Sequence, residues 1–239
     1  VEVGKDVTLE ELRKEGYKAF YLAIGAQGGR ALGIEGEDAQ GVVPGVTFLR
    51  DVNLGKDVQL TGKTQVIGGG NVAIDVARTA LRVGGENVTM FCLEGREEMP
   101  ALAEEIGETL HEGIAIENGW GPKRILTENG KVTGVEFRKC TRVFDENHRF
   151  DPQYDDNNTQ VVEAENVLLA IGQSIVWGGL LEGSKVVLNR NATAQADAFT
   201  YQTAEPDIFV GGDAFTGPKF AINAIAAGKQ GAISIHRYV

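Results

Sequence analysis

One run of ten residues, Val66-Ile67-Gly68-Gly69-Gly70-Asn71-Val72-Ala73-Ile74-Asp75, limits what this chain can fold into more than any other stretch. Apolar Val66 and Ile67 read as the end of a strand and the glycines as a tight turn. A helix follows, with Val72, Val76, Ala80 and Val83 on related faces. Gly68, Gly70 and Ala73 fall on the spacing G-x-G-x-x-A. That spacing lets the backbone turn, lets a pyrophosphate approach it, and lets the helix pack closely on the strand. Phosphates would sit against unpaired helix amides, at the positive end of the helix dipole. With 32 glycines in 239 residues, a glycine pattern alone is a weak signal, so the strand-turn-helix context carries the reading. Gly68, Gly69, Gly70, Asn71, Val72 and Ala73 are therefore the first candidate site residues.

A net charge of -11 argues against nucleic acid and against anionic membrane surfaces, both of which need clustered cations. No apolar run approaches the ~20 residues that span a bilayer. The opening Val1-Glu2-Val3-Gly4-Lys5-Asp6 has neither a basic start nor an apolar core, so no signal peptide is read and a cytoplasmic setting is expected. Without an initiator methionine, the sequence is expected to be a fragment or an excised domain. The cysteines, Cys92 and Cys140, form no C-x-x-C, which argues against a dithiol redox centre or an iron-sulfur or zinc site held by this chain alone. Both are expected to be small apolar residues within strands, and no metal site is expected.

Along the chain, Thr8-Leu9-Glu10-Glu11 is a capping-box sequence, and Gly16 closes the short helix it starts. Lys18 to Ile24 reads as a strand ending in the small residues Gly25 and Ala26. Gly28 to Gly62 reads mostly as loop, with a helical turn at Val46 to Arg50. After the glycine-turn helix, Asn87 to Leu93 reads as a buried strand ending at Glu94, 26 residues beyond Gly68. An acidic residue is expected about 20 residues on, where it binds the adenosine ribose. Glu94 could accept hydrogen bonds from the ribose hydroxyls and repel a 2'-phosphate, which favours NADH. Arg96, two residues later, could instead pair with that phosphate.

Ala101 to His111 reads as a helix with Leu102, Ile106 and Leu110 on one face, His111 compensating the dipole at its end. Arg124 to Thr127 and Val132 to Phe137 read as a hairpin turning at Glu128-Asn129-Gly130-Lys131. Asp145 to Asn158 is polar and acidic, and an exposed loop containing a solvated His148 is expected there. Val167 to Ile171 reads as a buried strand ending at Gly172, echoing the Leu-Ala-Ile-Gly of residues 22–25. Val186 to Leu188 reads as a short strand. Asp207 to Asp213 reads as a strand ending in Gly-Gly-Asp, followed by a helix from about Phe220 to Tyr238 with Ala221, Ile225 and Gly228 on one side.

Taken in order, several segments resemble the flavin-dependent pyridine-nucleotide oxidoreductases, and more closely the small (beta) subunit of glutamate synthase and its relatives. They are Thr8 to Leu12, Leu22 to Ala26, Leu32 to Asp38, Phe48 to Asn53, Gly68 to Asp75, Arg96 to Ala101, Ala170 to Gln173 and Gly211 to Asp213. The resemblance implies an α/β fold in which a Rossmann-like NAD(P)H-binding domain (27–170, with linker and hairpin) is inserted in part of an FAD-binding domain (1–26 and 171–239). It implies NAD(P)H contacts at Gly68 to Ala73, at Glu94 and Arg96, and near Ile171 and Gly172. It further implies FAD contacts near Gly25 and Ala26, at Gly212 and Asp213, and near Phe220 and Ala221.

The sequence departs from that family in three places. The FAD domain's own G-x-G-x-x-G and the N-terminal iron-sulfur segment are not among these residues, which leaves FAD retention open. Leu93 and Glu94 stand where NADPH-dependent relatives carry two arginines, and Ile175, followed by Trp177, stands where a proline is frequent. The expected function is an oxidoreductase passing hydride from NAD(P)H, NADH favoured, to FAD and on to a redox partner subunit or domain. No acid-base side chain is assigned, because the cofactors carry the chemistry. The alternative is a non-catalytic nucleotide-binding or docking module of a larger redox complex.

Overall fold

The computed structural model describes residues 1–239. The chain divides into two compact units, one formed by residues 1–28 and 173–239 and the other by residues 29–172. It passes between them at β2 (Gly28–Gly29) and β11 (Gln173–Ser174).

In the first unit, α1 (Leu9–Lys14) opens with the capping box read from the sequence: Glu11 N–H donates to Thr8 Oγ1 and Thr8 N–H to Glu11 Oε2. Strand β1 (Phe20–Leu22) runs parallel to β12 (Ile208–Val210), so both strands end on the same edge. There follow α5 (Asp213–Thr216) and α6 (Ala221–Tyr238). Leu9, Leu22, Ile208, Val210 and Ala214 form the core.

Helix α6 turns a different face inward from the one its sequence suggests. Ala227, Gly231 and Ser234 are its buried residues, whereas Ala221 and Ile225 are exposed. The reason is Tyr21, whose ring lies where a Cβ on Gly231 would be, so only a small-residue stripe can approach β1. Val186 to Leu188 is not a strand; only an isolated bridge joins Leu188 to Ala194.

In the second unit the strands are β3 (Val42–Pro44), β4 (Lys63–Ile67), β5 (Glu86–Cys92), β6 (Ala115–Asn118), β7 (Trp120–Glu128), β8 (Lys131–Phe144), β9 (Phe150–Glu163) and β10 (Asn166–Leu169). The helices are α2 (Gly45–Asn53), α3 (Asn71–Arg82) and α4 (Ala103–His111). Five strands form a parallel sheet in the order β3-β10-β4-β5-β6. Its central strands β10, β4 and β5 are buried on both faces towards their C-terminal ends and alternate between two cores, whereas the edge strands β3 and β6 are only partly covered. Val66, Met90, Cys92 and Leu168 pack with α2, α3 and α4, whereas Ile67, Phe91, Val167 and Leu169 pack against the antiparallel sheet β7-β8-β9. Strands covered on both sides read as continuous apolar runs, which is how Met90–Cys92 of β5 and Val167–Leu169 of β10 look in the sequence. Phe91 stacks on Phe137 at 4.0 Å between ring centroids and joins the two layers.

Three expectations need correction here. The loop expected over residues 28–62 contains an edge strand, β3, and a nine-residue helix, α2, held by buried Phe48 and by partly buried Leu49 and Val52. The acidic loop expected at 145–158 is largely strand β9. Its pairing with β8 is supported by side chains rather than by apolar alternation: Arg138 lies 3.9 Å over the Tyr154 ring and pairs with Asp156, and Arg142 pairs with Asp151. On α4 the inward face is Ile106 and Thr109, while Leu102, which caps the helix, and Leu110 are exposed.

Candidate functional site

The strand-turn-helix read at residues 66–75 is present: β4 ends at Ile67, Gly70 caps α3, and Gly68 N–H donates to Phe91 O at 2.9 Å. The glycines have separate reasons to be there. Gly68 has a φ of +145°, and a Cβ on it would run into the Ala170 carbonyl, so it is needed for the turn itself. Gly69 is buried, and a Cβ there would lie 2.9 Å from both Cys92 Cβ and Glu94 Oε2. At Gly70 a Cβ would meet only Pro100 Cγ, at 3.9 Å. A methyl there would sit in ordinary van der Waals contact without clashing, and the conformation (φ -93°, ψ 175°) suits any L residue. A glycine that neither packing nor backbone demands, beside the unpaired first amides of α3, is what close approach by a phosphate requires. The residues present therefore fit a dinucleotide.

Glu94 lies two residues beyond the end of β5 with its carboxylate turned back over Gly69. Burial, then the charge of Glu98, holds that carboxyl above the usual carboxylate range. Arg96 is exposed, on a short 3-10 turn at Arg96–Glu98. Ile171 and Gly172 follow β10 directly; Gly172 is exposed, and the aliphatic part of Arg30 lies 3.3 Å from its Cβ position. Because β10 and β4 are parallel neighbours, the glycine turn and the Ile171–Gly172 segment leave the sheet at the same edge.

Several contacts of this turn are not visible in the sequence. Ala101 N–H donates to Gly69 O at 3.2 Å and Leu102 N–H to Asn71 Oδ1 at 2.9 Å, so the Met99–Leu102 segment forms a wall beside Gly70. Asn118 Nδ2 donates to Glu94 O at 3.1 Å and contacts Cys92 Sγ at 3.2 Å. Asn118 carries no motif; the parallel pairing of β5 with β6 brings it in. Cys92 and Cys140 are both buried in strands and unpaired. Burial, with help from Glu94, pushes the Cys92 thiol up to about 11, which leaves it neutral near pH 7.

The residues expected to hold a flavin lie in the other unit. The parallel pairing of β1 and β12 brings Gly25 and Ala26, and Gly212 and Asp213, to the strand ends on one edge. Gly212 lies 3.5 Å, at its Cβ position, from Ala224 Cβ on the first turn of α6. Asp213 Oδ1 accepts from Lys219 N–H at 3.1 Å and so orders the loop into that helix. Phe220 caps α6 with no side-chain hydrogen bond, leaving its first amides, from Ala221 on, open to an acceptor. The other side of β1 has no strand partner and faces a cavity of about 580 Å³ lined by Val3, Leu9, Phe20, Leu22 and Trp177. These residues fit one wall of a flavin site.

A family profile for pyridine nucleotide-disulphide oxidoreductases matches residues 1–228. Among curated proteins, the chain is 34% identical over 244 residues to the beta subunit of the NADP(+)-dependent formate dehydrogenase of Moorella thermoacetica, covering 99% of this chain and 34% of that protein. It is 30% identical over 257 residues to the small chain of the NADPH glutamate synthase of Escherichia coli, covering 100% of this chain and 54% of that one. The chain thus spans about a third to a half of the length of these relatives. Among solved structures, FprA of Mycobacterium tuberculosis in complex with NADPH aligns over 100% of this chain and 67% of its own, with a TM-score of 0.79 and 18% identity. At that identity the likeness speaks for the fold alone. Fold, glycine turn and profile agree over almost the whole length, and the chain belongs to the pyridine nucleotide-disulphide oxidoreductase family.

Proposed function

We propose that residues 29–172 bind the dinucleotide NAD(P)H, NADH in preference, and that residues 1–28 and 173–239 form part of an FAD site, in an oxidoreductase that passes electrons on to a partner subunit or domain. The observation that carries this reading is a glycine at position 70 that neither packing nor backbone requires, beside unpaired amides of α3 and with the Glu94 carboxylate over the neighbouring glycine. Gly68 to Ala73 would hold the pyrophosphate, and Glu94 the adenosine ribose hydroxyls. Arg96 would lie beside that ribose, and Ile171 and Gly172 would line the nicotinamide end. Gly25, Ala26, Gly212, Asp213, Phe220 and Ala221 would contact FAD. When bound, the nicotinamide and the flavin supply the hydride chemistry; the protein's share is to position them and exclude water. The unpaired side of β1 supports a flavin lobe completed by a further segment, and relatives named as subunits support a protein partner. A cytoplasmic setting goes with this reading.

The preference for NADH rests on Glu94, since a carboxylate there repels a 2'-phosphate, although the relatives above are named for NADP(H). Parallel titration of the polypeptide with NADH and NADPH, followed by nucleotide fluorescence, tests it. Tighter NADH binding that is lost in Glu94→Ala supports the reading, and tighter NADPH binding refutes the preference. Binding with no flavin reduction in the complete protein would favour a docking or sensing module instead.

A further inference from the structure

Resting on the nucleotide reading, we propose that Asn71 is a positioning residue whose side chain latches the Met99–Leu102 segment onto the glycine turn and so holds Pro100 as the wall beside the phosphate site at Gly70. Asn71 is the first residue of α3, and a surface polar residue at that position would ordinarily face water. Instead its Oδ1 accepts from Leu102 N–H, the capping residue of α4, at 2.9 Å. One bond away, Ala101 N–H reaches Gly69 O at 3.2 Å. These two bonds fix the chain immediately after Pro100, the one residue near the Cβ position of Gly70.

The latch acts at one end of a helix pair that is already tied elsewhere. Arg78 on α3 pairs with Glu108 at 2.8 Å and with Glu112 at 2.7 Å, and Arg82 pairs with Glu112 at 2.8 Å. Ile106 and Thr109 are buried against the same core. Losing the Asn71 bond therefore frees the ligand-side end of α4 and leaves the helix docked. The amide is also matched to both tasks. Its oxygen is consumed by Leu102, while its Nδ2 makes no hydrogen bond within the protein and is left as a donor for an anionic ligand at the helix start.

Two substitutions separate the roles. Asn71→Ala removes latch and donor together. Asn71→Asp keeps the latching oxygen and puts a negative charge where the donor was. Backbone amide exchange in the free polypeptide and titration with NADH and NADPH are read on each. In Asn71→Ala, exchange at Ala101 and Leu102 is expected to rise at least tenfold, exchange in α3 and at the far end of α4 to stay as in the parent, and dinucleotide affinity to fall at least tenfold. In Asn71→Asp, Leu102 is expected to keep its protection while affinity falls at least tenfold, more at low salt than at high. Parent-like affinity in Asn71→Ala, or parent-like exchange at Leu102 in that variant, overturns the latch. Parent protein that binds neither nucleotide overturns the nucleotide reading, and with it the purpose given to that wall.

Discussion

Gly68 and Gly70 sit two residues apart in one turn, and the structure assigns them opposite fates on substitution by alanine. At Gly68 the new methyl would be driven into the Ala170 carbonyl on a backbone whose φ is +145°. Strain at such a φ costs about 1–3 kcal/mol, and overpacking adds a similar ~1–3 kcal/mol. Gly68→Ala is therefore expected to lose about 2–6 kcal/mol, and at ~2–4 °C per kcal/mol in a chain of this size its unfolding temperature falls by roughly 4–24 °C. At Gly70 the methyl meets nothing nearer than 3.9 Å and the backbone is already extended. The unfolded chain loses freedom worth ~0.4–1 kcal/mol, while alanine caps a helix less well than glycine by a comparable ~0.5–1 kcal/mol. The two nearly cancel, so Gly70→Ala is expected to unfold within about 3 °C of the parent. Its methyl would nevertheless occupy the space proposed for the pyrophosphate. A tenfold to hundredfold loss of NADH or NADPH affinity is expected, about 1.4–2.8 kcal/mol. Thermal unfolding and fluorescence titration of the two variants, run side by side, decide the matter. A Gly70→Ala protein that binds nucleotide as tightly as the parent would refute the argument, because the phosphates would then not pass over that residue.

Other outcomes follow from single contacts. Glu94 has its carboxyl raised by burial, so the fold favours the protonated form; that advantage is complete below about pH 4.5 and fades as pH rises through the folded-state value. Glu94→Gln should accordingly raise the unfolding temperature at pH 7, with the gain shrinking in acid; a gain independent of pH would contradict the burial argument. Asp207 behaves oppositely: Arg13 grips it at 2.7 and 2.9 Å and lowers its pKa, so its stabilisation is present above about pH 3.8 and is lost as pH falls through the folded value. Asp207→Asn should melt lower than the parent at pH 7 and converge with it in acid. Gly231→Ala should cost about 1–3 kcal/mol by pressing a methyl into the Tyr21 ring. Tyr21→Phe, which removes a buried hydroxyl that has no partner, should be neutral or stabilising by about 1 kcal/mol; clear destabilisation would mean that hydroxyl is bonded in solution.

What the sequence disclosed was whatever local chemistry specifies. The capping box at Thr8, the Asn129-Gly130 turn and the glycine turn at 68–70 are short-range signals, and each appears where its residues stand. The apolar ends of β5 (Met90–Cys92) and β10 (Val167–Leu169), covered on both faces, were equally plain. Strand β9 was not, because Asp151, Asp155 and Asp156 offer no alternation, and its pairing depends on Arg138 and Arg142 across the sheet. Helix faces were misread where a partner's shape decided the packing: Tyr21 admits only small residues of α6, and α4 turns Thr109 inward rather than Leu110. At the site, Glu94 was visible as an acid after a strand, but its position over Gly69 was not. Asn71 was visible as a residue of the turn, but its bond to Leu102, 31 positions away, belongs to the tertiary fold.

The parallel sheet serves two cores at once, and this has a consequence for how the chain can change over time. In β4 and β5, odd and even positions answer to different neighbours: Val66 and Met90 to the helices, Ile67 and Phe91 to the antiparallel layer. Substitutions of one parity are invisible to the other core, so each layer can drift on its own. A single-residue insertion within one of these strands would exchange the two sets and ruin both cores together. Lineages should therefore accumulate paired replacements within a parity class, while indels are confined to the outer hairpins. The strand that delivers the glycine turn is thereby locked in phase by two independent demands, and the nucleotide end of the sheet inherits that fixity.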